Sequence, residues 1–135
     1  MDLHFTSALA TPEERAAVDA VLSPDAATDR THRHLLLEAL HAVQDRIGWL
    51  SEGALNYAGE RLCVPPAEIY GVATFYALFS TTPQPPLVVH LCDDIACLGA
   101  GTNELRATVA TVLSSPCLGL CDRAPAALVA HAGER

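Results

Sequence analysis

Lysine is absent from this chain. Its eight basic residues are all arginine, they face sixteen acids, and the formal net charge is −8. A nucleic-acid footprint needs a basic face, so that class of partner is excluded. No basic segment runs into an apolar one near the start: Met1–Ala10 holds neither lysine nor arginine. A signal peptide is therefore not expected. The longest apolar stretch, around Ile69–Phe79, falls well short of the ~20 residues that cross a bilayer. Direct membrane insertion is not expected, and the chain reads as soluble and cytoplasmic. There is no internal repeat, and no low-complexity tract beyond a richness in alanine. What remains is 135 residues, half of them apolar. That suits one domain or two small ones and is enough for a packed core.

Five residues are cysteine. Four form two pairs, Cys92-x4-Cys97 and Cys117-x3-Cys121. Each pair sits where a short apolar stretch meets a turn rich in glycine or aspartate: His90-Leu91-Cys92-Asp93-Asp94-Ile95-Ala96-Cys97-Leu98-Gly99, and Pro116-Cys117-Leu118-Gly119-Leu120-Cys121-Asp122-Arg123-Ala124-Pro125. In a cytoplasmic protein paired cysteines point to metal or redox chemistry before disulfides. Four thiolates on two loops suit an iron–sulfur cluster, or zinc, although structural zinc favours tighter knuckles. A thiol oxidoreductase would use C-x-x-C, which is missing. Cys63 lies at the end of a helical stripe and reads as a small buried hydrophobe. His90 shares a strand face with Cys92 and reads as a strand residue rather than a ligand.

The chain before residue 81 has helical patterning. Thr11-Pro12-Glu13-Glu14 is a start signal, with threonine as N-cap, proline at the first position and glutamate at the third. A second helix is expected from near Thr31, with Leu36, Leu40, Val43 and Ile47 on one face and Gly48 as its end. Ser51 caps a third carrying Leu55, Ala58 and Leu62. Pro65-Pro66 opens a fourth with Ile69, Val72, Tyr76 and Phe79. Short connections favour a small antiparallel bundle over residues 1–80. Residues 81–86 form a proline-rich linker. In 87–135 a buried strand over Leu87–Leu91 ends at Cys92. Gly99–Val112 reads as helical at least in its first part, with a strand over Thr108–Leu113 as the alternative for its end, a loop spans Cys117–Asp122, and a short strand covers Ala126–Ala130. That order is an α/β module, so the fold expected is α+β in two parts.

Cys-x4-Cys followed by Cys-Leu-Gly-x-Cys-x-x-Ala-Pro resembles the thioredoxin-like 2Fe–2S ferredoxins. These include the small iron–sulfur subunit of respiratory NADH dehydrogenase and relatives in NAD-linked formate dehydrogenases and NAD-reducing hydrogenases. The helical half agrees through Ala42-Val43-Gln44-Asp45-Arg46-Ile47-Gly48-Trp49-Leu50-Ser51. So does Val64-Pro65-Pro66-Ala67-Glu68-Ile69-Tyr70-Gly71-Val72-Ala73-Thr74-Phe75-Tyr76. The resemblance runs from about Leu35 to Leu128. It implies a helical bundle followed by a compact thioredoxin-like domain. It implies one 2Fe–2S cluster on Cys92, Cys97, Cys117 and Cys121, with no catalytic residue of the chain's own. It also implies an FMN- and NADH-binding flavoprotein partner within a larger oxidoreductase, through which the chain would lie on the cytoplasmic side of the membrane. Only 19 residues separate Cys97 from Cys117, fewer than in many members. A trimmed sheet is therefore expected, in a compact form or in the front part of something longer.

The rival reading is a docking or assembly module, stapled by zinc or another non-redox metal. Asp93, Asp94 and Asp122 read either as solvated turn acids or as charges that lower a cluster's potential, with Arg123 opposing them. Gly99, Gly101 and Gly119 read as permitting tight turns whose amides face sulfur.

Overall fold

The computed structural model describes residues 6–22 and 30–133. Backbone contacts gather into two compact units. One is the segment up to Gln84 together with the residues from Ala132 onward, and the other is Pro85–His131.

The first unit is helical. Its elements are α1 (Pro12–Val21), a 3-10 turn (Arg30–Leu35), α2 (Leu36–Ile47), α3 (Glu52–Leu62) and α4 (Pro66–Phe75). The Thr11 signal forms a full capping box: Thr11 Oγ1 accepts from the Glu14 amide, and Glu14 Oε2 accepts from the Thr11 amide at 2.7 Å. Glu14 is buried because its other oxygen accepts from the Ser51 hydroxyl at 2.5 Å. Ser51 is in turn the cap of α3, accepting from the Ala54 amide. One carboxylate thus ties the starts of α1 and α3 together. Leu40, Val43, Leu55, Leu62, Val64 and Ile69 fill the core between the helices, and each such side chain contributes ~1.5–3 kcal/mol on burial.

Three expectations need correcting in this unit. The α-helix expected from near Thr31 begins at Leu36, after the 3-10 turn. Helix α4 stops at Phe75, so Tyr76 and Phe79 lie beyond it. The chain leaves the helix because distant partners take it: Leu50 donates to the Ser80 carbonyl at 2.7 Å, and the Ser80 amide donates to Gln44 Oε1. Cys63 is half-buried rather than buried, and it ends α3 with a left-handed φ of 51°.

The second unit contains β1 (Leu87–Cys92), α5 (Ile95–Gly99), α6 (Thr102–Arg106), β2 (Val112–Ser115), a 3-10 turn (Cys121–Arg123) and β3 (Ala127–His131). Of the helix expected over Gly99–Val112 only Thr102–Arg106 forms, and the unexpected α5 ends where it was to begin. Gly101 separates α5 from α6 with a φ of 100°. The strands form one sheet in the order β2-β1-β3, with β1 parallel to β2 and antiparallel to β3. Among the described residues no helix is long and apolar enough to cross a membrane.

Candidate metal centre

The strand order decides where the cysteines meet. Register sets Cys92 beside Ser115, the last residue of β2. On the other side it sets Leu91 beside Ala127, the first residue of β3, and the Cys92 amide donates to the Ala126 carbonyl. The connection from β2 to β3 must therefore cross the C-terminal end of β1. That connection carries Cys117 and Cys121, while β1 and α5 carry Cys92 and Cys97. Two loops spaced by 19 residues in sequence are brought together by one crossover at a strand end.

The two pairs differ in exposure. Cys92 and Cys97 are each 1% exposed and pack with Ala126, Leu118 and Ala124. Cys117 and Cys121 are exposed, and their Sγ atoms lie 3.4 Å apart. The thiols thus meet as pairs. Among the described residues no three metal-ligating side chains close on one point as a single ion requires. A binuclear cluster spreads four ligands over two irons, and pairs suit it.

Backbone amides face the sulfurs. Amides of Asp94 and Leu118 donate to Cys92 and hold its thiol below the ordinary range, with its contact to Cys97 helping. The Ala126 amide does the same for Cys97, but desolvation and the neighbouring Cys92 and Cys117 sulfurs outweigh it, and Cys97 is raised. Cys121 is raised first by its hydrogen bond to Cys117 and then by the charges of the other sulfurs. Crowding by the neighbouring sulfurs thus disfavours loss of the Cys97 and Cys121 protons, and a cation among the sulfurs reverses this. Gly119, at a φ of 76°, donates its amide to Cys117 Sγ at 3.4 Å.

Thr102 fixes the buried pair. Fully buried, its hydroxyl lies 3.0 Å from the Cys92 carbonyl and 2.9 Å from the Cys97 carbonyl. The sequence offered no sign of this, since a threonine in a short helix reads as neutral. Amide donation from Leu118 and Ala126 was equally invisible. The acids make local contacts. Asp94 caps α5 by accepting from the Ile95 amide, Asp93 lies 3.8 Å from Arg106, and Asp122 meets Arg123 at 3.9 Å in the open. Exposed pairs like the last contribute little. His90 is buried, its Nδ1 lacks a hydrogen-bond partner, and burial lowers its pKa.

An all-sulfur donor set lined by amide donors fits an iron–sulfur cluster. The family model described as thioredoxin-like 2Fe–2S ferredoxin matches residues 25–133. The chain belongs to that family. The cofactor of this ferredoxin is one 2Fe–2S cluster, and its chemistry is electron transport. It is similar to an NADH-quinone oxidoreductase subunit of Pseudomonas aeruginosa, with 34% identity over 109 residues, covering 69% of this chain and 66% of that one. Against the corresponding subunit of Buchnera aphidicola identity is 28% over 113 residues, covering 72% and 70%. Against that of Escherichia coli it is 30% over 105 residues, covering 66% and 63%. The chain therefore spans about two thirds of the length of the curated relatives it matches.

Proposed function

We propose that Cys92, Cys97, Cys117 and Cys121 hold the 2Fe–2S cluster, and that the chain is the electron-transfer subunit of an NADH-linked oxidoreductase. The observation that supports this is the approach of the two cysteine pairs at the end of β1, with amide donors from Asp94, Leu118, Ala126 and Gly119 around the sulfurs. Bound there, the cluster supplies one-electron redox chemistry. The chain's own residues ligate and orient it. Cys92 and Cys97 anchor one side away from water, Thr102 clamps their carbonyls, and the amides offset the negative charge of the sulfurs.

The partner in this reading is a flavoprotein that binds FMN and NADH, within a respiratory NADH dehydrogenase on the cytoplasmic side of the membrane. Formate dehydrogenase and hydrogenase assemblies are variants of the same design. Two surfaces support a partner. On the cysteine-bearing segments Ile95 is 85% exposed, and Leu98 and Leu120 are exposed beside Cys97 and Cys121. On the helical unit, α4 has a single charged residue, Glu68, and presents Tyr70 and Phe75, with Tyr76 just beyond it. Exposed aromatic side chains gathered on one stretch of chain mark interaction surfaces.

The test is to purify the chain with and without an FMN- and NADH-binding flavoprotein partner and to add NADH under anaerobic conditions. The visible bands should bleach only in the complex. Bleaching of the isolated chain, or a chain that never associates, contradicts the proposal.

A further inference from the structure

We propose that Cys117 and Cys121 are a redox-sensitive dithiol: when the cluster is lost in the presence of a peroxide they are oxidised to a disulfide that blocks reassembly until it is reduced. The disulfide itself stands on the geometry alone. Its consequence for reassembly rests on the ligand set proposed above.

The two pairs of cysteines face oxidants very differently. Cys92 and Cys97 are buried, and the Thr102 hydroxyl holds both of their carbonyls. Cys117 and Cys121 are exposed, on a loop with room to move. Nothing lies within 4 Å of the place a Cβ would take at Gly119, midway between them. Their sulfurs need only close from 3.4 Å to the ~2.05 Å of a disulfide. Oxidation therefore has one short, accessible path and one shielded one.

The step balances with a peroxide as oxidant. One thiolate attacks an oxygen of hydrogen peroxide. The O–O bond breaks, a sulfenic acid forms, and hydroxide leaves. The second thiolate attacks the sulfenic sulfur, the S–S bond forms, the S–O bond breaks, and a second hydroxide leaves. The protons of the two thiols turn both hydroxides into water. The cysteines lose two electrons and the peroxide gains two. Such a bridge is reversible by a thiol reductant, whereas further oxidation to the sulfinic acid is not. The bridge would shield the exposed pair from permanent damage, and it would withhold half of the ligand set.

The experiment starts from the cluster-loaded chain. Hydrogen peroxide with an iron chelator is added until the visible bands vanish. Free thiols are then alkylated, and the chain is cut with trypsin without reductant. Cleavage at Arg106 and Arg123 isolates Cys117 and Cys121 on one peptide. That peptide should be lighter by two hydrogens and carry no alkyl group. The peptide with Cys63, Cys92 and Cys97 should be alkylated three times. Reconstitution with iron and sulfide should fail on the oxidised chain and recover after dithiothreitol. Repeating the oxidation in guanidinium should let Cys92 and Cys97 bridge as well, because only the fold shields them. Circular dichroism of the oxidised chain should retain the helical signal. In Cys121→Ser, Cys117 should stop at a sulfenic acid that dimedone traps.

A Cys92–Cys97 bridge formed in the folded chain overturns the proposal. So does direct passage of Cys117 or Cys121 to sulfinic acid with no bridge. A bridged chain that reconstitutes normally overturns only the block on reassembly. Retention of a normal cluster by Cys121→Ser would instead count against the ligand set, which keeps the two failures apart.

Discussion

Thr102→Val changes a hydroxyl to a methyl group and leaves the shape of the side chain almost untouched. The hydroxyl is fully buried and bridges the carbonyls of Cys92 and Cys97. The Cys97 carbonyl still accepts from the Ala100 amide at 3.1 Å, so the larger loss falls at Cys92. A buried acceptor deprived of its donor costs ~1–3 kcal/mol. That energy belongs to the sheet-bearing unit, which carries the four proposed ligands, and it should appear as local opening. At about 1.4 kcal/mol per tenfold, the open fraction should rise about 5- to 150-fold. Chelator-driven bleaching reads that fraction when closing is faster than iron removal. The valine variant should therefore lose its visible bands about 5- to 150-fold faster, while Thr102→Ser, which keeps the hydroxyl, should stay near the parent. Helical content should be unchanged. A valine variant that bleaches at the parent rate would refute the clamp. A serine variant as fast as valine would show that the methyl group, rather than the hydroxyl, is what matters.

Two further outcomes concern the helical unit. Glu14→Ala should destabilise it by ~1–3 kcal/mol in chemical denaturation followed at Trp49. It strips partners from the Thr11 amide and the Ser51 hydroxyl, and an unchanged midpoint would contradict the shared-cap account. Cys63→Ala should leave the visible spectrum intact. Cys63→Gly should stabilise the unit by up to ~1 kcal/mol, because the residue sits at a left-handed φ of 51°; loss of the cluster in either variant would mean that Cys63 is a ligand.

Much of this was legible in the residues because the signals are local. The capping box at Thr11 and Glu14, the Ser51 cap and the Gly48 stop depend on neighbours a few positions away, and each formed as the pattern implied. The cysteine spacing carried the metal chemistry for the same reason. Most of what escaped depends on partners far along the chain. Helix α4 ends at Phe75 with no proline or glycine to stop it, because Gln44 and Leu50 capture Ser80. Thr102 acquires its role only when α6 packs against the end of β1. Asn56 is buried because its amide donates to the carbonyls of Thr6 and Ala8, about 50 residues away. The burial of Glu14 needed Ser51. For Ser80, Asn56 and Glu14 no short window of sequence contains both partners, whereas Thr102 lies near Cys92 and Cys97 in sequence but meets their carbonyls only through the packing of α6.

The central claim is that four cysteines at the end of β1 hold one binuclear cluster. The most direct measurement is iron and acid-labile sulfide content of the anaerobically purified chain, taken beside four single Cys→Ser variants. About two irons and two sulfides per chain are expected. Serine at Cys92, Cys97, Cys117 or Cys121 should lose the cluster or visibly perturb its spectrum. Stoichiometric zinc without iron, or an unperturbed spectrum in any of the four variants, would contradict the account.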